Sequence, residues 1–236
     1  MQNYLYEFLG TMLLVLLGDS VVANVVLNKT KGNGSGWIVI ISGWAFAVMI
    51  PALMFVKSGS VFNPALTLGL AAIGAISWSV VPGYIIAEML GGFVGAIIVW
   101  IMYKDHFEAS DDADGKLAVF CTGPAIRNYS SNFISEFIAT FVLVYTILGI
   151  AQSSYGDVSA LSMFGVGAII FSCGASLGGT TGYAMNPARD FGPRLAHAIL
   201  PIPGKRDPDW AYSWVPILGP CAGAVCAALF SAAIFS

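Results

Sequence analysis

Basic charge is scarce in this chain: 10 Lys and Arg stand against 13 Asp and Glu over 236 residues, and charged side chains make up only 10%. A surface that neutralises phosphates needs clustered Lys and Arg, so nucleic acid is excluded as a partner. Cysteine is also sparse. Of the four, Cys173, Cys221 and Cys226 lie in apolar stretches and Cys121 in a polar one, with no CxxC pair. Neither a disulfide framework nor a zinc site is expected, and the four read as small apolar fillers. There are two histidines, His106 in a polar loop and His197 in an apolar segment with no evident carboxylate or Ser partner. No nucleophile–base pair, carboxylate dyad or metal-ligand spacing occurs, so neither an enzyme nor a bound cofactor or metal is expected. The Gly-rich "GNGSG" (Gly32 to Gly36) has no following Lys-Ser/Thr and is a turn, not a phosphate cradle.

What the chain has instead is apolar length. With 57% hydrophobic residues and a mean hydropathy of +0.80, it belongs in a bilayer. A helix needs about 20 apolar residues to cross about 30 Å of hydrocarbon. Such runs occur at 4–27, 37–56, 80–103, 132–152, 159–178 and 212–235, which predicts six crossings. The first begins at Tyr4 with no Lys or Arg before Lys29, unlike the charged start of a cleavable signal peptide, and is expected to remain as a span. Two shorter apolar stretches, 63–76 and 186–199, each open on Asn-Pro-Ala and read as half-crossings. The connections are "NKTKGNGSG" (28–36), the acidic "KDHFEASDDADGK" (104–116) continuing to Ser131, "SSYGD" (153–157) and "PGKRDPD" (203–209). None is long enough for a separate soluble domain, so residues 1–236 form a single transmembrane domain.

The chain repeats once. "EFLGTMLLVLLG" from Glu7 is answered by "EFIATFVLVYTILG" from Glu136, 129 residues on (136 minus 7), and Asn63 by Asn186, 123 residues on (186 minus 63). The halves, approximately 1–105 and 130–236, each hold three full spans, so the second enters the membrane from the opposite side. Inverted repeats of this kind put their shared site at the interface, near the midplane.

Within each half the Asn-Pro-Ala box starts a helix abruptly. Asn is a favoured N-cap, and Pro suits the first helical position because its missing N–H would have no intrahelical partner there. About ten residues at 1.5 Å each give roughly 15 Å, so two such helices from opposite faces meet tip to tip at the centre. Asn63, Pro64, Ala65 and Asn186, Pro187, Ala188 are therefore the predicted pore motif, with both positive dipole ends disfavouring a cation between them. The segments before the boxes, Gly59-Ser60-Val61-Phe62 and Gly182-Tyr183-Ala184-Met185, must be non-helical at membrane depth. That is tolerated where backbone is buried or lines a wet cavity, which predicts a track of carbonyl acceptors. Arg189 stands in the first turn of its half-helix, where the dipole penalises a cation. It reads either as a partner of adjacent Asp190 or, preferably, as a fixed donor at a constriction. Neutral polar solutes would pass such a device, while protons and cations would be rejected.

The paired boxes, the second extended to "GYAMNPARDFGP" (182–193), resemble the aquaporin superfamily and specifically its glycerol-facilitator branch, over the whole chain. Asp190 after Arg189 is similar to the aquaglyceroporin form. The resemblance implies an all-α membrane fold of six transmembrane helices and two re-entrant half-helices in an inverted repeat. It also implies a homotetramer in the lipid bilayer with one pore per subunit, and passage of glycerol, related small neutral solutes and some water. Counting from the motifs, the selectivity filter it implies comprises Arg189, Tyr183 in the aromatic position usually filled by Phe, Gly174 in place of the histidine of water-selective members, and Gly43. The ungapped count puts Gly43 where glycerol facilitators usually have Trp, with Trp44 one residue away. On that count one aromatic wall is missing, and conduction would extend beyond glycerol to bulkier solutes. Val61 stands where the family commonly has His.

Other acidic residues occupy apolar ground. Glu7 and Glu136, at matching places, are expected to brace the irregular segments by accepting from their backbone N–H groups, a role the resemblance also implies, and Asp190 is grouped with them as structural. Glu88 is expected at a headgroup region or another subunit. Asp19, some fifteen residues into the first span, reads either as a buried hydrogen-bonded acid or as part of a wet vestibule. Small residues at four-residue spacing in "GGFVG" (91–95) and "GPCAG" (219–223) predict close helix packing. Orientation divides the two lines of reasoning. Only Lys57 lies on the side bearing both termini, so charge counting puts them outside the cytoplasm. The resemblance implies cytoplasmic termini in a multi-pass cell-membrane protein, and is followed here because Arg189 and Arg194 belong to a re-entrant segment.

Overall fold

Long apolar runs without interior charge pairs form helices in lipid because each backbone group is then satisfied within its own segment. The computed structural model describes residues 2–56, 59–152 and 159–235, apart from the side chains of 159 and 160. Five of its helices are long and apolar enough to cross a membrane: α1 (Gln2–Val26), α2 (Trp37–Met54), α4 (Val81–Met102), α7 (Tyr129–Gln152) and α10 (Val215–Phe235). The sixth expected span corresponds to α8 (Ser159–Ser176), of which Leu161–Ser176, the part with described side chains, is an apolar helix. Two short helices, α3 (Pro64–Ala72) and α9 (Pro187–Ile199), begin at the Asn-Pro-Ala boxes. Lys57, Ser58 and the "SSYGD" connection fall outside the described residues.

The acidic connection after α4 differs from the sequence reading. It contains two further short helices, α5 (Lys104–Glu108) and α6 (Ala113–Phe120). Asp112 caps α6 by accepting from the Asp114 amide at 3.0 Å, and Phe107 and Phe120 stack at 5.5 Å between ring centroids, both fully buried. Phe107 on α5 and Leu117, Val119 and Phe120 on α6 give a segment whose composition reads as loop a buried apolar face.

Packing follows the repeat. In the first half α1 lies against α4 and α2; in the second α7 lies against α10 and α8. The half-helices cross over, α9 packing on α4 and α3 on α10, while α2 meets α8 across the middle. Close approach depends on missing side chains: a Cβ on Gly91 would sit 2.4 Å from the Phe8 carbonyl oxygen, and one on Gly223 2.4 Å from that of Phe137. The exterior is apolar, with Ile38, Met54, Ile86, Ile101 and Leu218 all exposed, whereas Glu7, Asp19, Glu88, Glu136 and Asp190 are fully buried. This inside-out distribution puts the polar chemistry along the axis between the halves.

Candidate functional site

Each half-helix is capped by its own Asn. The Asn63 Oδ1 accepts from the Ala65 amide at 2.9 Å, and the Asn186 Oδ1 accepts from the amides of Ala188 at 3.0 Å and Arg189 at 3.3 Å. The amide nitrogens reach across the repeat. Asn63 Nδ2 donates to the Met185 carbonyl and Asn186 Nδ2 to the Phe62 carbonyl, both at 2.8 Å. A carboxamide has two N–H donors. One per Asn is committed to the opposite half, and the second remains for whatever occupies the space between the tips. Pro64, Ala65, Pro187 and Ala188 are buried behind those tips.

The segments leading to the boxes share one backbone pattern. Gly59, Ser60 and Phe62 have φ of 94°, 52° and 48°; 123 residues on, Gly182, Tyr183 and Met185 have 82°, 39° and 50°. Left-handed backbone costs a non-Gly residue on the order of 1–2 kcal/mol, and four such residues lie here. Buried carboxylates offset that cost. Glu7 accepts from the amides of Val61 at 3.3 Å and Phe62 at 2.6 Å. Glu136 accepts from the Thr181 hydroxyl at 2.6 Å and from the Ala184 and Met185 amides, each at 3.0 Å. The amides of Val61, Phe62, Ala184 and Met185 are thereby engaged away from the Asn side chains, which instead bond the Phe62 and Met185 carbonyls.

Glu88 corrects the sequence reading. It is neither at a headgroup region nor on an outer face: it is fully buried, and its Oε1 accepts from the Asn63 amide at 3.1 Å and the Thr67 hydroxyl at 2.9 Å. It steadies the first tip from α4. Its signal in the sequence was the same as that of Glu7, an acid inside an apolar run, but without a counterpart in the other half to point to its partner. Asp190 accepts from the Thr122 amide at 2.8 Å, the Thr122 hydroxyl at 2.7 Å and Arg194 Nε at 2.9 Å. Arg194 in turn donates to the Thr122 carbonyl at 2.9 Å and the Pro208 carbonyl at 2.7 Å. So Asp190 pairs with Arg194, one turn along α9, and the alternative of an Arg189–Asp190 pair is not what forms.

Two cavities follow the axis. The inner one, about 230 Å³, is bordered by the segments Gly59 to Asn63 and Tyr183 to Asn186 and by the apolar side chains of Leu14, Val48, Leu66, Leu143, Ile147, Met163, Val166 and Ile170. The outer one, about 550 Å³, is bordered by Val22, Trp37, Ile40, Thr122, Gly179 and Gly182 among others. Trp44, Tyr183 and Arg189 border both, which makes them the neck between the two. The Arg189 guanidinium carbon lies 4.0 Å from the centre of the Trp44 ring.

That neck corrects the count that selected Gly43. A Cβ on Gly43 would meet Val21 at 2.6 Å, so this glycine seats α2 against α1, and the aromatic wall comes from Trp44, whose ring passes over Gly18. A Cβ on Gly18 would lie 2.2 Å from the ring. The inference of a missing wall and a widened filter falls with it. Gly174 borders neither cavity among the described residues; its bare Cα makes room for Tyr183, whose Cζ would be 2.9 Å from a Cβ there. The Gly174 carbonyl also accepts from Trp37 Nε1 at 3.1 Å, and Trp37 meets Tyr183 edge to face at 5.8 Å.

The two segments before the boxes, the helix tips, a set of apolar side chains and an Arg-aromatic neck therefore border one pair of adjoining cavities. Over residues 1–231 the sequence matches the profile of the family described as "Major intrinsic protein". The chain belongs to the major intrinsic protein family. Among relatives, it is 59% identical over 226 residues to the "Probable glycerol uptake facilitator protein" of Thermotoga maritima, covering 95% of this chain and 96% of that one. To the "Glycerol uptake facilitator protein" of Streptococcus pneumoniae it is 52% identical over 231 residues, covering 97% and 98%. Among solved structures, the aquaglyceroporin of Plasmodium falciparum superposes with a TM-score of 0.86 at 31% identity, covering 97% of this chain and 94% of the other. As a major intrinsic protein the chain has the aquaporin-like architecture of six spans and two re-entrant half-helices.

Proposed function

We propose that the protein is a passive channel conducting glycerol and other small neutral polar solutes, with some water, across the membrane. The observation that carries this reading is the neck: one guanidinium over the Trp44 ring, with Tyr183 beside them, at the junction of two cavities. A polyol has hydroxyls along one edge and C–H along the other. Arg189 donates to the hydroxyls while Trp44 and Tyr183 receive the carbon edge, and beyond the neck the backbone carbonyls of 59–62 and 182–185 continue the polar edge opposite Leu143, Ile147 and Ile170. The relatives named for glycerol uptake support the same solute.

At the midplane a passing oxygen accepts from the free N–H of Asn63 and of Asn186. With both lone pairs engaged, a water there cannot accept a proton from its neighbour, and the facing helix N-termini add positive potential. No catalytic role is assigned, and neither cofactor nor metal is required. The apolar exterior suits lipid and, on the family's pattern, a homotetramer, with both termini cytoplasmic in the cell membrane. Proteoliposome swelling tests the reading. We expect glycerol-driven swelling that does not saturate at a few turnovers per second and is indifferent to proton or sodium gradients; dependence on either gradient would establish coupled transport instead.

A further inference from the structure

Asp19 lies in mid-helix in α1 and is fully buried. Neither of its carboxylate oxygens has a hydrogen-bond partner among the described residues. An ionised carboxylate in that position is costly unless a charge answers it. The charge that does so is Arg189, whose Nη1 lies 3.9 Å from the Asp19 Oδ1 and likewise lacks a hydrogen-bond partner there. The residue before it, Gly18, is the one over which Trp44 passes. Two adjacent residues of α1 thus stand behind two of the three groups of the neck.

We propose that Asp19 is a specificity-determining positioning residue: from outside the passage it balances the guanidinium charge of Arg189 and so sets how strongly the neck holds a solute. This rests on the channel reading above. Arg189 occupies the first turn of α9, where the helix dipole already opposes a cation, and Asp19 supplies the compensating negative charge. At 3.9 Å the pair is too long for a hydrogen bond, so Nη1 is held by attraction without being consumed as a donor. With the carboxylate neutralised, the guanidinium carries its full charge into the passage. A solute with three hydroxyls would then be retained more than a water molecule, and glycerol flux would fall relative to water flux.

The test compares glycerol and water permeabilities of wild-type protein and variants in proteoliposomes by stopped-flow light scattering. Asp19→Asn should lower the glycerol-to-water ratio by at least about twofold, the low end of what directly coupled residues show. Asp19→Glu, which keeps the charge, should restore most of it, and Asp19→Ser gives a second neutral variant should Asn not be accommodated. In an Arg189→Ala background the same Asp19 substitutions should leave the ratio unchanged. An unaltered ratio in folded Asp19→Asn or Asp19→Ser protein, or an equal shift in the absence of Arg189, overturns the proposal. Wild-type protein that passes no glycerol would instead overturn the channel reading.

Discussion

Replacing Glu136 with Gln removes one acceptor oxygen and one charge while keeping the shape of the side chain. In the structure Oε1 serves the Thr181 hydroxyl and the Ala184 amide, and Oε2 serves the Met185 amide. If the Gln oxygen takes the place of Oε1, the new NH₂ faces the Met185 N–H, and a buried donor is left without an acceptor at a cost of about 1–3 kcal/mol. The two surviving bonds lose their charge assistance, roughly half their strength, or about 1 kcal/mol each. Burying a neutral amide is cheaper than burying a carboxylate, which offsets part of this and leaves a net loss of about 2 kcal/mol. At about 2–4 °C per kcal/mol for a chain of this size, the unfolding midpoint in detergent should fall by about 4–8 °C. Permeability should fall as well, because Met185 is held at a φ of 50° directly before the Asn186 cap, and Arg189 follows in the same turn. Scanning fluorimetry and proteoliposome swelling on the same preparation measure both. A Glu136→Gln protein with wild-type midpoint and wild-type glycerol flux would refute the view that this carboxylate holds the strained segment in place.

The neck gives three further expectations. Trp44→Ala should admit polyols larger than glycerol in a swelling series and cost about 3–5 kcal/mol of stability, as for other buried Trp truncations. Gly43→Trp should leave solute preference unaltered and reduce the yield of folded protein, because its side chain meets Val21, and a changed preference would restore Gly43 to the filter. Gly174→Val should displace the Tyr183 ring and lower glycerol flux several-fold, read against unchanged water flux through empty liposomes. Away from the axis, Arg194→Ala leaves the fully buried Asp190 carboxylate without its cation and should destabilise the protein by about 3–5 kcal/mol, seen as a lower unfolding midpoint.

What could be read from the sequence was whatever the repeat wrote twice. The boxes at Asn63 and Asn186 announced both helix starts, and the offset of 123 residues between them recurs in the backbone angles of Gly59, Ser60 and Phe62 against Gly182, Tyr183 and Met185. Glu7 and Glu136 were legible for the same reason. The features without a counterpart were not. Glu88 and Asp19 appear once each, and a lone acid in an apolar run signals that a partner exists without saying which. Gly43 comes from an ungapped count back from Asn63 against the family pattern, and Trp44 at the neck shows that count to be one residue off. The helices α5 and α6 hid in an acidic segment because their few inward apolar residues, Phe107, Leu117, Val119 and Phe120, leave little mark on its composition.

The reciprocal amide bonds between the halves bear on how the chain matures. Asn63 donates to Met185 and Asn186 to Phe62, so the re-entrant turn that leaves the ribosome first has both its amide donor and its last carbonyl unanswered until residues 185 and 186 have been made. The first half can insert its spans early, but its part of the conduction path stays provisional through more than a hundred residues of further synthesis. Separately expressed halves would therefore be expected to acquire a settled path together or not at all.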